Sequence, residues 1–318
     1  MKPGNVKVSY WKEVNQLKGY PLREKIHGYI YLRWPYLYIG TGIGSTWIAK
    51  LWLWFSHLFS RFAPPPAPPD PDQITFADTY HGKVVPLQTA REIVTVHRDI
   101  AVPDLEQVIP YHLARAFILR QPDHIAVLEC PCRANREHPC LPMDVCLIVG
   151  EPFTSFVLQH HPDKSRAITP DEAVAILEAE DQRGHVHHAF FKEAVMERFY
   201  AICNCCSCCC MGIKMWNLLE GTVPIIAPSG YLSHIGDYCN GCGECLEYCQ
   251  FKAISLDENE QKAVIDAVKC MGCGVCEDIC PAGAITLERD SSKGEPLDIE
   301  ELVSKVKKEG GREQEAGV

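Results

Sequence analysis

Residues 239–249 read CNGCGECLEYC and residues 270–280 read CMGCGVCEDIC. Both runs have the spacing C-x2-C-x2-C-x3-C, with Cys239, Cys242, Cys245 and Cys249 in the first and Cys270, Cys273, Cys276 and Cys280 in the second. They form an internal repeat with an offset of 31 residues, which also superposes Gly241 on Gly272, Gly243 on Gly274, Ala253 on Ala284, Ile254 on Ile285 and Leu256 on Leu287. The glycines allow the backbone to turn tightly beside a bulky core. The Ala-Ile-x-Leu that follows each run has the alternation of a short strand. Thiols this close together point to metal. Zinc frameworks usually place two C-x2-C knuckles far apart, and disulfide scaffolds suit much shorter secreted chains.

The stretch 233–290 resembles the bacterial dicluster ferredoxin family, whose C-x2-C-x2-C-x3-C runs hold two [4Fe-4S] cubanes. The resemblance implies two pseudo-symmetric halves of strands and short helices around both clusters. It also implies crossed ligand sets, because three thiolates of a run face one cube and the fourth ligand arrives from the other run. One set is then Cys239, Cys242, Cys245 and Cys280, and the other is Cys270, Cys273, Cys276 and Cys249. One position departs from the family. Pro281 follows the second run, but Gln250 stands where the first run would have its proline. Losing the fixed φ there is expected to alter the turn or the hydrogen bonding to sulfur, without abolishing the cluster.

The chain has 318 residues, 47% of them hydrophobic, and a net charge of −10. That size allows two domains or one domain with an appended module. With no Lys/Arg block, the acidic balance argues against nucleic acid and suits a basic redox protein partner. The opening MKPGNVKVSYWKEV has no apolar h-region, so a reducing, anaerobic cytoplasm is the expected compartment for 18 cysteines. An α+β fold is expected, with a ferredoxin-like dicluster module after a mixed, helix-rich, Cys-containing domain. The expected divisions are an N-terminal region 1–62, a Pro-rich linker 63–72, a central domain 73–232, the ferredoxin module 233–290 and a charged tail 291–318. In the tail, Ile299, Leu302, Val303 and Val306 mark a short amphipathic helix, and the last residues read as disordered.

Between Trp34 and Ser60 the only fixed charge is Lys50, and as one helix the segment would be long enough to cross a bilayer. Pro35, Gly40, Gly42 and Gly44 weaken its first half, so the expected helix is 45–62. Lys50, His57 and Arg61 share one face of it, which favours a helix lying at a membrane surface or docked on a partner. The basic residues before the segment keep the N-terminus inside, and a single span would place every cluster outside. The expected location is therefore cytoplasmic, peripheral at the inner face of the membrane where 45–62 docks.

In the central domain, helices are expected from Asp104 to Arg120, from a capping box at Thr169-Pro-Asp-Glu172 to about Arg183, and from His188 to Ala201. Strand-like runs are Ile125 to Leu128 and Val145 to Val149. The other ten cysteines lie here: Cys130, Cys132, Cys140 and Cys146 in one motif, and Cys203, Cys205, Cys206, Cys208, Cys209 and Cys210 in another. They are candidate ligands of an additional iron-sulfur cluster shared between the motifs. Two cubanes, one cubane with bystanders and a larger bridged cluster all remain open, as do a zinc site, buried apolar thiols and a redox dithiol. The order of CxCR, CNCCxCCC and a dicluster module is similar to that of ferredoxin-like proteins of anaerobic bacteria, a resemblance that implies organisation and not a reaction. Arg133 is either a charge partner for cluster sulfur or a solvated side chain. His185, His187 and His188 read as a polar turn at a helix start or a metal ligand set. GTGIG at 40–44 lacks the strand and acidic residue of a dinucleotide site.

These features point to single-electron transfer within an anaerobic oxidoreductase complex. Two other readings differ in chemistry. One is an oxidoreductase whose central cluster has an open iron site, and the other is a redox sensor or cluster-assembly protein.

Overall fold

Along 146–149 successive side chains go to opposite faces: Cys146 and Ile148 join one buried core, Leu147 and Val149 another. The computed structural model describes residues 10–51, 54, 80–102, 116–219, 225–257, 259, 261–301 and 304. Its centre is a seven-stranded sheet made of β1 (Tyr80–Val85), β4 (Ile125–Glu129), β5 (Asp144–Val149), β6 (Ser165–Ile168), β7 (Val186–Lys192), β8 (Arg198–Cys205) and β9 (Ile226–Ala227). The order is β6-β4-β5-β8-β7-β1-β9, antiparallel except for the β1–β9 pair. A separate pair, β2 (Ile100–Val102) and β3 (Phe117–Leu119), lies between β1 and β4 in sequence.

The sheet separates two cores. On one face, α4 (Leu87–Val94) and α7 (Pro170–Asp181) pack Ile93, Ala173 and Leu177 against Leu147, Val149 and Ile202. The other face carries the cysteines. It is covered by α1 (Tyr10–Val14), α2 (Leu22–Arg33), α3 (Pro35–Ile43), α6 (Phe153–His160) and α8 (Met211–Leu218). The short α5 (Pro131–Ala134) follows β4 directly and carries Cys132.

Thr169 caps α7 by accepting the Glu172 N–H at 3.2 Å, and Pro170 sits in the first turn, where a missing N–H is harmless. The runs at 125–128 and 145–149 are strands. The helix expected over His188–Ala201 is instead the hairpin β7–β8, turned through 193–197 with Met196 and Glu197 at positive φ. All seven residues of β7 are buried, so no two-residue alternation marks it as a strand, and a doubly buried strand reads like a buried helix. The helix expected from Asp104 to Arg120 is also corrected where it is described: Phe117–Leu119 is strand β3, and 103–115 lie outside the described residues.

Pro35, expected to weaken the aromatic segment, occupies the start of α3, and Gly44 ends that helix in the left-handed region at φ 84°. A further helix covers 47–51. The rest of the expected 45–62 helix, Trp54 apart, lies outside the described residues, as do the linker 63–72 and the tail beyond 304. Among the described residues no helix is long and apolar enough to cross a membrane.

The C-terminal part repeats itself. β10 (Tyr231–Ile235) pairs with β13 (Ile285–Arg289), and β11 (Ile254–Asp257) with β12 (Lys262–Ile265), while α9 (Glu244–Tyr248) and α10 (Val275–Asp278) follow the cysteine loops. The 31-residue offset carries β11 onto β13 and β10 onto β12. The whole fold is α+β.

Candidate metal centres

In the C-terminal repeat, each thiol loop turns through two left-handed glycines. Gly241 and Gly272 have φ of 68° and 64°, and a Cβ on either would lie 2.1 Å from a backbone oxygen, of Gln261 or Tyr231. Gly243 and Gly274, also left-handed, open α9 and α10. One cavity is lined by Cys239, Cys242, Cys245 and Cys280, and a second by Cys249, Cys270, Cys273 and Cys276. The Ala253 N–H donates to Cys249 Sγ at 3.2 Å, and the equivalent Ala284 N–H donates to Cys280 Sγ at 3.3 Å. The Ala263 N–H does the same for Cys239 at 3.5 Å and, with that of Gly241, holds this thiol below its ordinary pKa. Ser233 Oγ lies 3.3 Å from Cys276 Sγ. Four thiols with apolar walls and N–H donors aimed at sulfur are the donor set of a thiolate-ligated cubane, whose negative charge such donors stabilise. Burial pushes Cys249, Cys273 and Cys276 up, the last to about 12, so these sites suit a metal that displaces the proton.

The two cavities differ in setting. The second adjoins the main core, because Phe251, Met271 and Val275 are buried in the same cluster as Cys130, Cys146 and Cys205. The first faces outward, with Cys242 exposed.

On the thiol face of the sheet, pairing of β5 with β8 sets Cys146 opposite Cys203, their sulfurs 3.9 Å apart. Cys130 follows β4 and caps α5, Cys132 lies on α5, Cys205 ends β8 and Cys210 caps α8. These six thiols close a ring of contacts, running from Cys130 to Cys146, Cys203, Cys205, Cys210, Cys132 and back to Cys130. Three come from each sequence motif. Within the ring, donation from Cys146 and Cys205 pulls Cys203 down to about 6, and donation from Cys132 and Cys205 pulls Cys210 down, whereas Cys146 and Cys205 are pushed up. The ring borders a chamber of about 770 Å³, partly open to solvent, against about 330 and 350 Å³ for the C-terminal cavities. Its roof comes from α2 and α3 through Tyr31, Leu32, Pro35 and Ile39. Tyr31 Oη and Tyr200 Oη lie 2.6 Å apart beside it.

The remaining four central cysteines, Cys140, Cys206, Cys208 and Cys209, gather with all sulfurs within 4.8 Å of one another, and Cys206 and Cys209 also line the chamber. The ten central thiols are thus sorted into six and four.

Arg133 is buried at 1% exposure on the chamber wall and is not solvated. Its guanidinium donates to Glu180 Oε2 at 2.6 Å and to the Pro142 carbonyl oxygen, and His185 Nδ1 lies 2.6 Å from the same carboxylate oxygen. Burial pushes the Glu180 carboxyl up, but hydrogen bonding from His185 and the Arg133 charge outweigh it and hold the group below its usual range. Glu180 was legible in principle, because it falls on the apolar stripe of α7 after Ala173 and Leu177, where an acid needs a buried partner. His185, His187 and His188 are not on a polar turn: all three are buried, His187 and His188 on β7 and His185 just before it. His187 Nδ1 lies 2.6 Å from Asn204 Oδ1. Burial, then His187, pulls His188 down to about 3, so it stays neutral.

Gln250, the departure from the family pattern, clasps the two halves of the molecule. Its Oε1 accepts the Ser207 N–H at 2.7 Å, and its Nε2 donates to the Gly184 carbonyl at 2.7 Å. No match for the chain was found among curated proteins. Residues 238–284 match the family model described as 4Fe-4S dicluster domain, and this C-terminal part of the chain is a domain of that family.

Proposed function

We propose that the protein is an electron relay with three iron-sulfur centres in series. Cys239, Cys242, Cys245 and Cys280 hold an outer cubane, Cys249, Cys270, Cys273 and Cys276 an inner one, and the ring of Cys130, Cys132, Cys146, Cys203, Cys205 and Cys210 supplies the ligands of a third centre. Such clusters supply one-electron transfer at potentials set by burial and hydrogen bonds to sulfur. The observation that carries the reading is the shared core. Phe251, Met271 and Val275, which wall the inner cavity, are buried in the same core as the ring thiols Cys130, Cys146, Cys205 and Cys210, while Cys242 leaves the outer cavity exposed to a partner. The N–H donors of Ala253, Ala263 and Ala284 compensate thiolate charge, and the apolar walls keep water away. The partner is a redox protein of an anaerobic oxidoreductase complex, met through the acidic surface. The helical residues 47–51, with Trp47 71% exposed, offer a contact to a membrane surface or membrane subunit.

A second reading is favoured by the size of the chamber, which exceeds both C-terminal cavities. It holds that the central metal has an open site and is catalytic. Addition of a small ligand such as cyanide to the reduced protein would change the central centre's spectrum in that case and leave it unchanged in a pure relay.

The relay is tested on anaerobically prepared full-length protein by iron and sulfide analysis with EPR-monitored redox titration. The expected result is more than the roughly eight irons of two cubanes. Cys132→Ser and Cys205→Ser should each remove the same central signal, and the double variant should remove little more. Fully additive losses would mean that the motifs bind separate metals, and unchanged iron would reduce the relay to the two C-terminal clusters.

A further inference from the structure

We propose that Cys140, Cys206, Cys208 and Cys209 form a separate site for a single zinc ion beside the chamber. Cys140 and Cys208 sulfurs are 2.7 Å apart, Cys206 and Cys208 3.2 Å, Cys208 and Cys209 3.6 Å, and Cys140 and Cys206 3.7 Å. A tetrahedral ion with zinc–sulfur bonds of about 2.3 Å sets its thiolates about 3.8 Å apart, whereas a cubane bonds each thiolate to a different iron and spreads them more widely. The same molecule provides the comparison. Among the described residues, this is the one group of metal-ligating side chains drawn within 4.8 Å, and neither C-terminal set is gathered so tightly.

The backbone explains how adjacent cysteines can share one ion. On a strand, Cys208 and Cys209 would point apart. Here the Cys206 carbonyl accepts the N–H of Cys209 at 3.3 Å and of Cys210 at 3.0 Å, so the chain turns on itself. The turn sends Cys206, Cys208 and Cys209 to one side and leaves Cys210 in the chamber ring. Cys140 arrives from the loop after α5, and its N–H donates to Cys209 Sγ at 3.4 Å. Arg136 fastens the same loop through Nε and Nη2 to the Cys209 carbonyl, at 3.1 and 2.9 Å. Cys208 is exposed and Cys140 half-buried, so an ion has an entry path. A redox-inert ion with four thiolates and no open position is a structural site. It would tie the loop 135–143 to the turn 206–209, both of which border the ring.

The test is metal analysis of the full-length protein purified anaerobically, as wild type, as Cys208→Ser and as Cys140→Ser/Cys208→Ser. About one zinc per chain is expected in addition to cluster iron, and the double variant should lose it with iron content and EPR spectra unchanged. Zinc-edge X-ray absorption on the wild type, which does not depend on any variant folding, should show a shell of four sulfurs at about 2.3 Å. Absence of zinc, a mononuclear iron signal lost in the double variant, or a loss of about four irons with it would each overturn the assignment. Because Cys132→Ser removes iron and not zinc under the relay, failure of one proposal is distinguishable from failure of the other.

Discussion

Gln250 stands where the repeat and the family pattern both lead one to expect proline, and the sequence marks the position without revealing its use. Its use is visible only across the interface, since the side chain that accepts the Ser207 N–H and donates to Gly184 is 43 and 66 residues from those partners. Proline could make neither bond. Gln250→Ala should leave the C-terminal iron in place and orphan the Ser207 N–H, a loss of about 1–3 kcal/mol where such a group is kept from water. Hydrogen exchange at the Ser207 amide should quicken by about 5- to 150-fold, and an unchanged rate would show that the clasp contributes nothing. The C-terminal glycines present the opposite case, because a repeated Gly beside a repeated Cys is a local signal of a tight turn. Gly241 and Gly272 are both left-handed with backbone 2.1 Å from where a Cβ would lie. The ten central cysteines could not be divided from their spacing. Which thiols form a ring depends on the strand register of Cys146 with Cys203 and on a turn at 206–210, and neither is periodic in sequence.

At the scale of elements, what was legible followed local chemistry. The Thr169 cap, the strands around 125 and 145, and the strands after each cysteine run are visible in short windows. The β7–β8 hairpin was not, since HVHHAFFK is buried on both faces and its histidines look polar until Asn204, Glu180 and Phe251 surround them. Helices α2 and α3 were not legible for a related reason. Pro35 and the glycines at 40, 42 and 44 pointed away from a helix before residue 45, yet Tyr31, Leu32 and Ile39 lie on two helices and are buried against the sheet. Gly28 is the closest point of that packing. A Cβ there would lie 1.7 Å from the Ala194 carbonyl oxygen, in the turn between β7 and β8, and backbone cannot yield as a flexible side chain does. Gly28→Ala should therefore push α2 off the hairpin, at about 1–3 kcal/mol for the forced rearrangement. A lower midpoint in anaerobic urea unfolding, together with faster proteolysis of the N-terminal helices, would report it. Unchanged stability would mean that α2 slides without cost.

For the whole molecule, the N-terminal region is two things that the sequence merged into one. Residues 10–43 roof the chamber through Tyr31, Leu32, Pro35 and Ile39, while the helical turn that follows exposes Trp47 and Trp54. The two parts should separate in truncation. Deleting 45–62 with a short flexible replacement removes no described chamber-lining residue, so all bound iron should remain and only association with a membrane or complex fraction should be lost. Deleting 1–44 instead opens the thiol face of the sheet to water, exposing Cys130, Cys146 and Cys205, which are now buried. That protein should lose its central metal while keeping the roughly eight irons of the dicluster domain, because the cavities of Cys239 and Cys249 are walled by C-terminal residues alone. Iron and sulfide analysis with EPR on the two truncations decides the matter. If removing 1–44 spared the central signal, the helices would be a cover and not part of the site. If it removed every cluster, the dicluster domain would depend on the central core through Phe251 and Gln250 more strongly than its own walls suggest.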